Sequence, residues 1–503
     1  MVEYSYLPGA DLLTGWTQSA TGIQPVSHTR AFEPNRNLIT GIENMAGTNV
    51  VSTFAYTNDE LARRTLRVDN AAVTNAFAYN VRSEVIEALL GLDQYDYAYD
   101  PIGNREWTRM NANTNWYTAN ELNQYTVISN GIPVEPTYDA DGNMLEMGNG
   151  WTSTWDGENR LIEMVNGDAR LVFTYDYMSR RVRKRVYDGL TKTQDRAYVY
   201  DGWNVLLELD LMPTEPELAR AYTWGLDLSQ SLQGAGGVGG LLSVTTSTPS
   251  TTETFSTAFD ANGNITEYVD SSGAVVAHYE YDAFGNTITQ FGTLADTFAH
   301  RFSTKYLDPE TGLYYYGYRY YSPELGRWLS NDPLLDPGSV PVMAIRAFIL
   351  DVLEQLTLQD IEMMLEASLS EGKRLSAATL EFYVAKLGDC LARNEPQFWL
   401  LLSGNNLFLF CENNPMIFVD PLGLSFTWKT GAAIVGGFVM GAGIIVGSPV
   451  LVVGGGIAAV GFAVWEIYGS RRTIDSTEER IRDGPIGEYY RKVDELLQGG
   501  RCD

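Results

Sequence analysis

The sequence predicts a mainly β protein, built as an array of β-hairpins. The composition combines 30 Tyr, 11 Trp, 19 Phe and 48 Gly in a chain of 503 residues that is only 19% charged. Aromatic residues favour half-buried pleated surfaces, and glycine favours the tight turns between strands. A short motif that ends one strand and starts a turn recurs at intervals of about 20 residues over the first three-fifths of the chain. Segments between its copies alternate polar and apolar residues, as strands do.

Composition and charge argue against several classes of protein. A chain of 503 residues is too long for one core of ordinary size, so it forms several domains or an extended repeat architecture. The net charge of −28 repels phosphate backbones, which argues against nucleic-acid binding by most of the chain. The three histidines and three cysteines are widely spaced and provide neither a metal cluster nor a disulfide framework. We predict no metal and no cofactor.

The recurring motif reads aromatic, Asp or Asn, two variable residues, Gly, then Asn or Arg. In each copy a strand ends on the aromatic residue, Asp caps the turn, and Gly or Asn takes the positive φ that reverses the chain. The clear copies lie at 99–105, 138–143, 259–264 and 281–286, and the degenerate copies at 56–64, 155–160, 175–181 and 200–204. A single copy is an ordinary hairpin turn, but this many copies indicate a hairpin array.

The segments that follow these turns read as strands, for example 159–165 and 181–187. A hairpin array of this kind can form one long sheet with two faces.

The spaced copies resemble the YD repeats of the RHS (rearrangement hotspot) family. Residues 300–333 resemble the core signature of that family through the composite GLYYYxxRYYSPxxGRW, and residues 412–424 match its usual end, NNP followed by DPLGL. The resemblance covers roughly residues 50–335 and 404–424. The composite motif is specific, because it is not a general β-strand pattern.

The resemblance implies a cocoon-like shell: a strip of β-sheet coils into a closed container, and the core signature plugs one end. Coiling hides one face of the sheet and most of the strand edges that would otherwise promote aggregation. Family members commonly cut their own chain after DPxGL and hold the variable C-terminal segment inside the shell. The implied partners are this enclosed segment, an immunity protein and a secretion machinery.

These patterns predict six segments. Weak repeats at 1–50 precede the YD-repeat shell at 51–299. The remaining segments are the core-signature plug at 300–337, a helical insertion at 338–403, the end of the core at 404–424 and a variable segment at 425–503 with a glycine-rich apolar hairpin. We expect a small shell from a repeat region of this length. Because long family members carry large domains before the repeats, we expect the chain to be either a remnant or a fragment of a longer protein.

The resemblance also implies the residues of an aspartyl-type autoproteolysis, the only enzymatic activity that we predict. Asp332 is the candidate carboxylate, Arg319 is its partner, and Asp308 is the expected second carboxylate. The scissile bond would be Leu424–Ser425, in the loop that contains Asp420, Pro421 and Gly423. Such chemistry needs one group that takes a proton and one that gives a proton, and an arginine keeps one carboxylate ionised.

The same residues also have a purely structural interpretation, because Asp-Pro forms turns and arginine often stacks on tyrosine. Two departures from the family pattern bear on this choice. The insertion at 338–403 is either a harmless excursion from the plug or a displacement of the cleavage loop. Asn331 stands where an arginine is frequent in the family.

The C-terminal segment differs from the rest of the chain. Residues 425–503 contain eight Lys or Arg and nine Asp or Glu, a net charge of −1, so nearly all of the −28 belongs to the preceding residues. Residues 431–465 contain no charged side chain, and Ser448-Pro449 divides them into two apolar halves. The glycines of the first half are spaced as in closely packed membrane helices. This stretch forms either a membrane-entering hairpin, a buried soluble hairpin or a translocation helper.

Three functions follow as hypotheses. The first is a self-processing RHS-type shell that carries a polymorphic, toxin-like C-terminal segment. The second is a carbohydrate-binding or surface-adhesion scaffold, and the third is an inactive remnant of a longer RHS protein. The N-terminus encodes no signal peptide, so we expect a cytoplasmic protein that reaches the exterior or the cell surface by another route.

Overall fold

The computed structural model describes residues 1–248, 250–333, 410–416, 418–423 and 428–429. The chain divides into two compact units, and the first, Met1–Met343 with Trp399–Phe438, contains all the described residues. The predicted insertion at 338–403 and the predicted apolar hairpin at 431–465 lie outside them. The described ranges contain strands and two short 3-10 turns, and no helix there has the length and apolar character to cross a bilayer.

The first sheet contains 13 strands, and every strand pairs antiparallel with its neighbours in the sequence. Its strands are β1 Val2–Tyr6, β2 Leu13–Ala20, β3 Ile23–Phe32, β4 Ile39–Ala46, β5 Asn49–Asn58, β6 Arg64–Asp69, β7 Val73–Tyr79, β8 Val85–Leu90, β9 Asp93–Tyr99, β10 Arg105–Met110, β11 Asn113–Ala119, β12 Tyr125–Ser129 and β13 Pro133–Val134.

The second sheet contains 14 strands in the same sequential order. Its strands are β14 Thr137–Tyr138, β15 Met144–Glu146, β16 Thr152–Trp155, β17 Leu161–Asn166, β18 Ala169–Tyr175, β19 Arg181–Asp188, β20 Thr191–Asp201, β21 Asn204–Asp210, β22 Glu217–Trp224, β23 Leu241–Ser247, β24 Thr252–Phe259, β25 Ile265–Val269, β26 Val275–Tyr281 and β27 Thr287–Phe291. The strands predicted at 159–165 and 181–187 are confirmed as β17 and β19.

The core signature forms a separate four-stranded sheet, and a two-stranded pair follows it. The four strands are β28 Tyr306–Asp308, β29 Leu313–Tyr315, β30 Tyr320–Ser322 and β31 Arg327–Trp328, and the pair is β32 Phe418–Val419 with β33 Trp428–Lys429. The 3-10 turns are Phe302–Thr304 and Cys411–Asn413.

The turn between β9 and β10 shows how the repeated motif folds. Oδ1 of Asp100 accepts hydrogen bonds from the backbone N–H groups of Ile102 and Asn104, both at 2.9 Å. Oδ2 of Asp100 accepts a third from Nδ2 of Asn104 at 2.9 Å. Gly103 has a φ of 90°, a conformation that favours glycine. The Asp, Gly and Asn of the motif therefore each have a separate function in reversing the chain.

Arginine replaces Asn in some copies and makes the same contacts. Arg180 donates its backbone N–H to Oδ1 of Asp176 at 2.9 Å and its Nε to Oδ2 at 2.8 Å. The copy at 200–204 folds differently, because Asp201 pairs directly with Asn204 across a two-residue hairpin loop. Both kinds of turn occur in each of the two large sheets.

The two large sheets fold back onto each other where β4 and β5 meet β24 and β25. Nδ2 of Asn44 donates to the carbonyl oxygen of Phe259 at 2.9 Å, and Oγ of Ser52 donates to Oε2 of the buried Glu267 at 2.8 Å. The strand array thus coils until the late strands of the second sheet contact the early strands of the first. The predicted fold class, a coiled YD-repeat hairpin array, is confirmed for the described residues.

Aromatic side chains of the core signature form the centre of the largest hydrophobic cluster. Tyr321 and Trp328 are fully buried, and Phe410 stacks on Tyr321 with 3.8 Å between ring centroids. Phe410 lies beyond the predicted insertion in the sequence. Residues that follow the insertion therefore return to the core signature, and this return builds the site described next.

Candidate active site

Arg319 lies immediately before β30 at the centre of the core signature. Its side chain is buried, and its guanidinium carbon lies 4.2 Å from the centroid of the Trp328 ring. Burial lowers the pKa of Arg319, and the nearby carboxylates Asp332 and Asp420 oppose that effect. A cation in such a position requires negative partners, since an uncompensated buried charge is costly.

Two carboxylates provide these partners. Oδ2 of Asp332 lies 2.7 Å from Nη2 of Arg319, and Oδ2 of Asp420 lies 3.4 Å from the same nitrogen. Both carboxylates are buried. The structure therefore brings together two aspartates that are far apart in the sequence, on one arginine and in a site sheltered from water.

A repeat turn of the shell holds the segment that leads to Asp332. The backbone N–H of Met144 donates to the carbonyl oxygen of Leu329 at 2.8 Å, and Nδ2 of Asn331 donates to the carbonyl oxygen of Asp141 at 2.9 Å. Asn331, where the family often has arginine, thus contacts the turn between β14 and β15. The conformation before Asp332 depends on the YD-repeat sheet as well as on the core signature.

The loop from Asp420 to Gly423 lies against the same arginine. Oδ1 of Asp420 accepts hydrogen bonds from the backbone N–H of Gly423 at 2.7 Å and of Leu422 at 3.2 Å. Nε of Arg319 donates to the carbonyl oxygen of Gly423. Gly423 has a φ of 73°, and a Cβ there would lie 3.1 Å from the backbone nitrogen of Arg319. Glycine therefore permits this close approach.

Asp420 and Gly423 follow the predicted insertion in the sequence and contact Arg319. Pro421 lies between them in the same loop. Leu424 and Ser425 lie outside the described residues, and the scissile bond remains a prediction.

Asp308, predicted as the second carboxylate, contacts a different set of cations. Its Oδ2 lies 2.5 Å from Nη1 of Arg181, and its Oδ1 lies 2.8 Å from Nζ of Lys184. Burial raises the pKa of Asp308, but the charges of Arg181 and Lys184 outweigh burial and lower it. The second carboxylate beside Arg319 is Asp420, whereas the prediction was Asp308.

Two of the three histidines are neutral at neutral pH. Burial lowers the pKa of His28 and of His300 to about 3, so both rings are neutral. His278 pairs with Glu267 and Glu280, which raise its pKa to about 9 against the opposing effect of burial. Within the described residues, none of these three forms a hydrogen bond to Arg319, Asp332 or Asp420, so the carboxylates are the candidate acid–base groups there.

Comparisons with known proteins agree with this fold. The Teneurin YD-shell family model matches residues 244–339, a range that includes Arg319 and Asp332. The chain is 33% identical over 254 residues to the tRNA3(Ser)-specific nuclease WapA of Bacillus spizizenii, which covers 48% of this chain and 10% of that protein. It is 28% identical over 271 residues to the toxin subunit YenC1 of Yersinia entomophaga, which covers 47% of this chain and 26% of that protein.

A solved structure shows the same fold over most of the chain. The crystal structure of TcdB2-TccC3-Cdc42 superimposes with a TM-score of 0.56 at 18% identity, covering 84% of this chain and 20% of that one. This chain thus corresponds to a minor part of each of these longer proteins. The repeats, the core signature and the coiled fold of the described residues thus resemble those of the RHS, or YD-repeat, family.

Proposed function

We propose that this protein is an RHS-type encapsulating shell that cleaves its own chain after Leu424 and carries residues 425–503 as a toxin-like cargo. One observation supports the cleavage most strongly. Arg319 contacts Asp332, Asp420 and the carbonyl oxygen of Gly423, the residue that precedes Leu424. A buried pair of carboxylates next to a peptide segment has the chemistry of aspartyl-type hydrolysis.

The proposed reaction divides two proton transfers between Asp332 and Asp420. The ionised carboxylate takes a proton from water while the water oxygen adds to the carbonyl carbon of Leu424. The protonated carboxyl then gives its proton to the nitrogen of Ser425, and the carbon–nitrogen bond breaks. Arg319 keeps one carboxylate ionised and fixes the loop, so the reacting groups need little reorganisation.

Retention of the cleaved segment follows from the shell. The relatives carry names of toxins, a tRNA nuclease and a toxin subunit among them. We infer that residues 425–503 stay enclosed after cleavage and act on a target after delivery, with the apolar stretch 431–465 as the membrane-contacting part. An immunity protein, a secretion machinery and export by a route without a signal peptide complete this proposal.

Denaturing electrophoresis of the purified full chain tests the cleavage. We expect a doublet in the parent protein and a single full-length band in Asp332→Asn, because the variant lacks one of the two carboxylates. Asp168→Asn, the same substitution in an exposed turn between β17 and β18, is the matched control and should give the doublet. A parent chain that stays intact, or an Asp332→Asn chain that still gives the doublet, contradicts the proposal.

One observation favours carbohydrate binding as a second candidate function. Trp107 of β10 pairs across the strands with Trp116 of β11, their ring centroids are 6.4 Å apart, and Trp116 is 58% exposed. An exposed indole face can stack on the apolar face of a sugar ring. Under this hypothesis Trp116→Ala removes the signal that the parent gives on a glycan array. Equal signals, or no signal from either chain, exclude this candidate.

A further inference from the structure

Three successive carbonyl groups before the predicted scissile bond each accept a hydrogen bond from the core signature. Nζ of Lys305 donates to the carbonyl oxygen of Pro421 at 2.5 Å, and the backbone N–H of Tyr318 donates to that of Leu422 at 3.0 Å. Nε of Arg319 donates to that of Gly423. The backbone is therefore held at every residue from 421 to 423, and the next carbonyl along the chain is that of Leu424.

We propose that Lys305 is a positioning residue for self-cleavage, whose ammonium fixes the Pro421 end of the loop so that the following peptide is presented to Asp332 and Asp420. This inference rests on the proposed function. Arg319 holds the loop at Gly423, beside the carboxylates, whereas Lys305 holds it two residues earlier. Without Lys305 the carbonyl groups would be held only at the adjacent residues Leu422 and Gly423, and the start of the loop at Pro421 would lose its hydrogen bond from the core signature.

The surroundings of Lys305 fit this role. The side chain is buried, and its ammonium also donates to the carbonyl oxygen of Gly236 at 2.9 Å. Lys305 thus joins the cleavage loop to the glycine-rich loop between β22 and β23. Gly236 has a φ of 60°, and a Cβ there would lie 2.0 Å from the carbonyl oxygen of Pro421. The close approach of the two loops therefore requires glycine at this position.

The shell determines where Lys305 stands. Lys305 directly follows the 3-10 turn Phe302–Thr304, in which Ser303 donates its backbone N–H to Oδ1 of Asn264 at 2.7 Å. Oγ1 of Thr304 donates to the carbonyl oxygen of Gly263 at 2.6 Å. Asn264 and Gly263 belong to a clear copy of the repeated motif. The position of the ammonium thus depends on the second sheet having folded against the core signature.

The charged and titratable groups around Lys305 make its contribution sensitive to pH. Burial lowers the pKa of Lys305 to about 8, although the carboxylates of Asp420 and Asp227 oppose this effect. His300 is neutral at that pH because burial lowers its pKa to about 3. The Tyr316 ring, 5.3 Å from Nζ, also stays neutral because burial raises its pKa well above the usual value. The ammonium is present below pH 8 and is lost above it.

Timed cell-free synthesis of the full chain tests the inference, with the fraction cleaved measured between pH 6.5 and 9.5. We expect the ratio of the parent rate to the Lys305→Arg rate to fall by up to about tenfold for each pH unit above the pKa near 8. Lys305→Arg keeps a cation and a donor, whereas the titration of the two carboxylates affects both chains equally. Lys305→Met should cleave at least about tenfold more slowly than the parent at neutral pH. Limited proteolysis verifies that each variant has a folded shell.

The outcomes separate this inference from the proposed function. If the parent cleaves, Asp332→Asn does not, and Lys305→Met cleaves at the parent rate, the inference is wrong and the proposed function stands. If the parent stays intact, or if Asp332→Asn cleaves normally, both are wrong. If Lys305→Met fails to fold, the comparison of the parent with Lys305→Arg decides, because a ratio of the two rates that stays constant above pH 8 overturns the inference.

Discussion

Arg181 joins the shell to the core signature through an ion pair and several aromatic contacts. It belongs to β19, is 1% exposed, and its guanidinium lies within 5.9 Å of five aromatic ring centroids. The carboxylate of Asp308 neutralises the charge of the Arg181 guanidinium in this aromatic environment. Asp308 therefore joins the second sheet to the core signature, a structural role that the sequence motif alone does not distinguish from a catalytic one.

We expect Asp308→Asn to lower the free energy of unfolding by about 3–5 kcal/mol, because the variant leaves Arg181 and Lys184 buried with one carboxylate fewer. Urea unfolding followed by tryptophan fluorescence measures the change. Glu310→Gln is the matched control, since Glu310 also pairs with Lys184 at 2.7 Å but is partly exposed, and it should cost about 1 kcal/mol or less. Equal stability of the two variants would contradict this assignment.

The pH dependence of the same pair has a definite sign. The lowered pKa of Asp308 means that the folded chain favours the ionised carboxylate more than the unfolded chain does. The pair therefore contributes its full stability above the unfolded pKa of about 3.9, and this contribution is lost as the pH falls through the lower folded value.

The catalytic candidates show how far the sequence alone can select site residues. Arg319 and Asp332 lie in one continuous, specific motif, so the family resemblance was enough to select them. Asp420 lies beyond the insertion, and no spacing rule relates it to Arg319. Its place beside the arginine results from the return of Phe410 to the aromatic core, which only the folded chain reveals.

At the scale of the elements, the turns carry most of the predictable information. The Asp, Gly and Asn of each clear copy have separate roles in one turn, so the motif predicts both the turn and the strands around it. The copies recognised in the sequence do not include every turn in which Asn takes the place of Asp. Asn120, for example, accepts backbone hydrogen bonds from Leu122 and Gln124 at 2.9 and 3.0 Å, as Asp100 does in its own turn. An amide oxygen replaces the carboxylate without a change in geometry.

The glycines of these turns are not equivalent, and a pair of alanine substitutions tests this. Gly285 has a φ of 92°, and a Cβ there would lie 2.5 Å from the buried ring of Phe302. We expect Gly285→Ala to lower the free energy of unfolding by about 2 kcal/mol or more. Gly157, in the turn between β16 and β17, has an ordinary φ and no atom within 4 Å of an added Cβ.

Gly157→Ala is therefore the matched control and should be neutral or stabilise by about 0.4–1 kcal/mol. Thermal unfolding of both variants beside the parent measures the difference. Equal losses of stability in the two variants would show that the positive φ and the contact with Phe302 have no special importance.

At the scale of the whole molecule, the resemblance to the RHS family predicts a coiled array, and a long hairpin sheet with two faces is compatible with it. The structure adds the particular contacts that close the coil, such as Asn44 with Phe259 and Ser52 with Glu267. These contacts join residues more than 200 positions apart. No periodicity in the sequence encodes such a register, because it follows from the accumulated twist of many strands.

Charge separates the proposed container from its proposed contents. Residues 425–503 carry a net charge of −1 within a chain of −28, so the repeats and core signature form the acidic part. A shell of uniform sign repels other shells and stays soluble. After the proposed self-cleavage, enclosure by the shell would replace the peptide bond that connects residues 425–503 to the rest of the chain.

The first residue of a released fragment tests the central claim most directly. The full chain is purified under native conditions, and its components are then separated under denaturing conditions for intact mass and N-terminal sequencing. We expect two components that elute together under native conditions, the smaller beginning at Ser425, and one full-length component in Asp332→Asn. A single full-length mass in the parent chain, or a fragment that begins elsewhere and persists in Asp332→Asn, would contradict self-cleavage by this site.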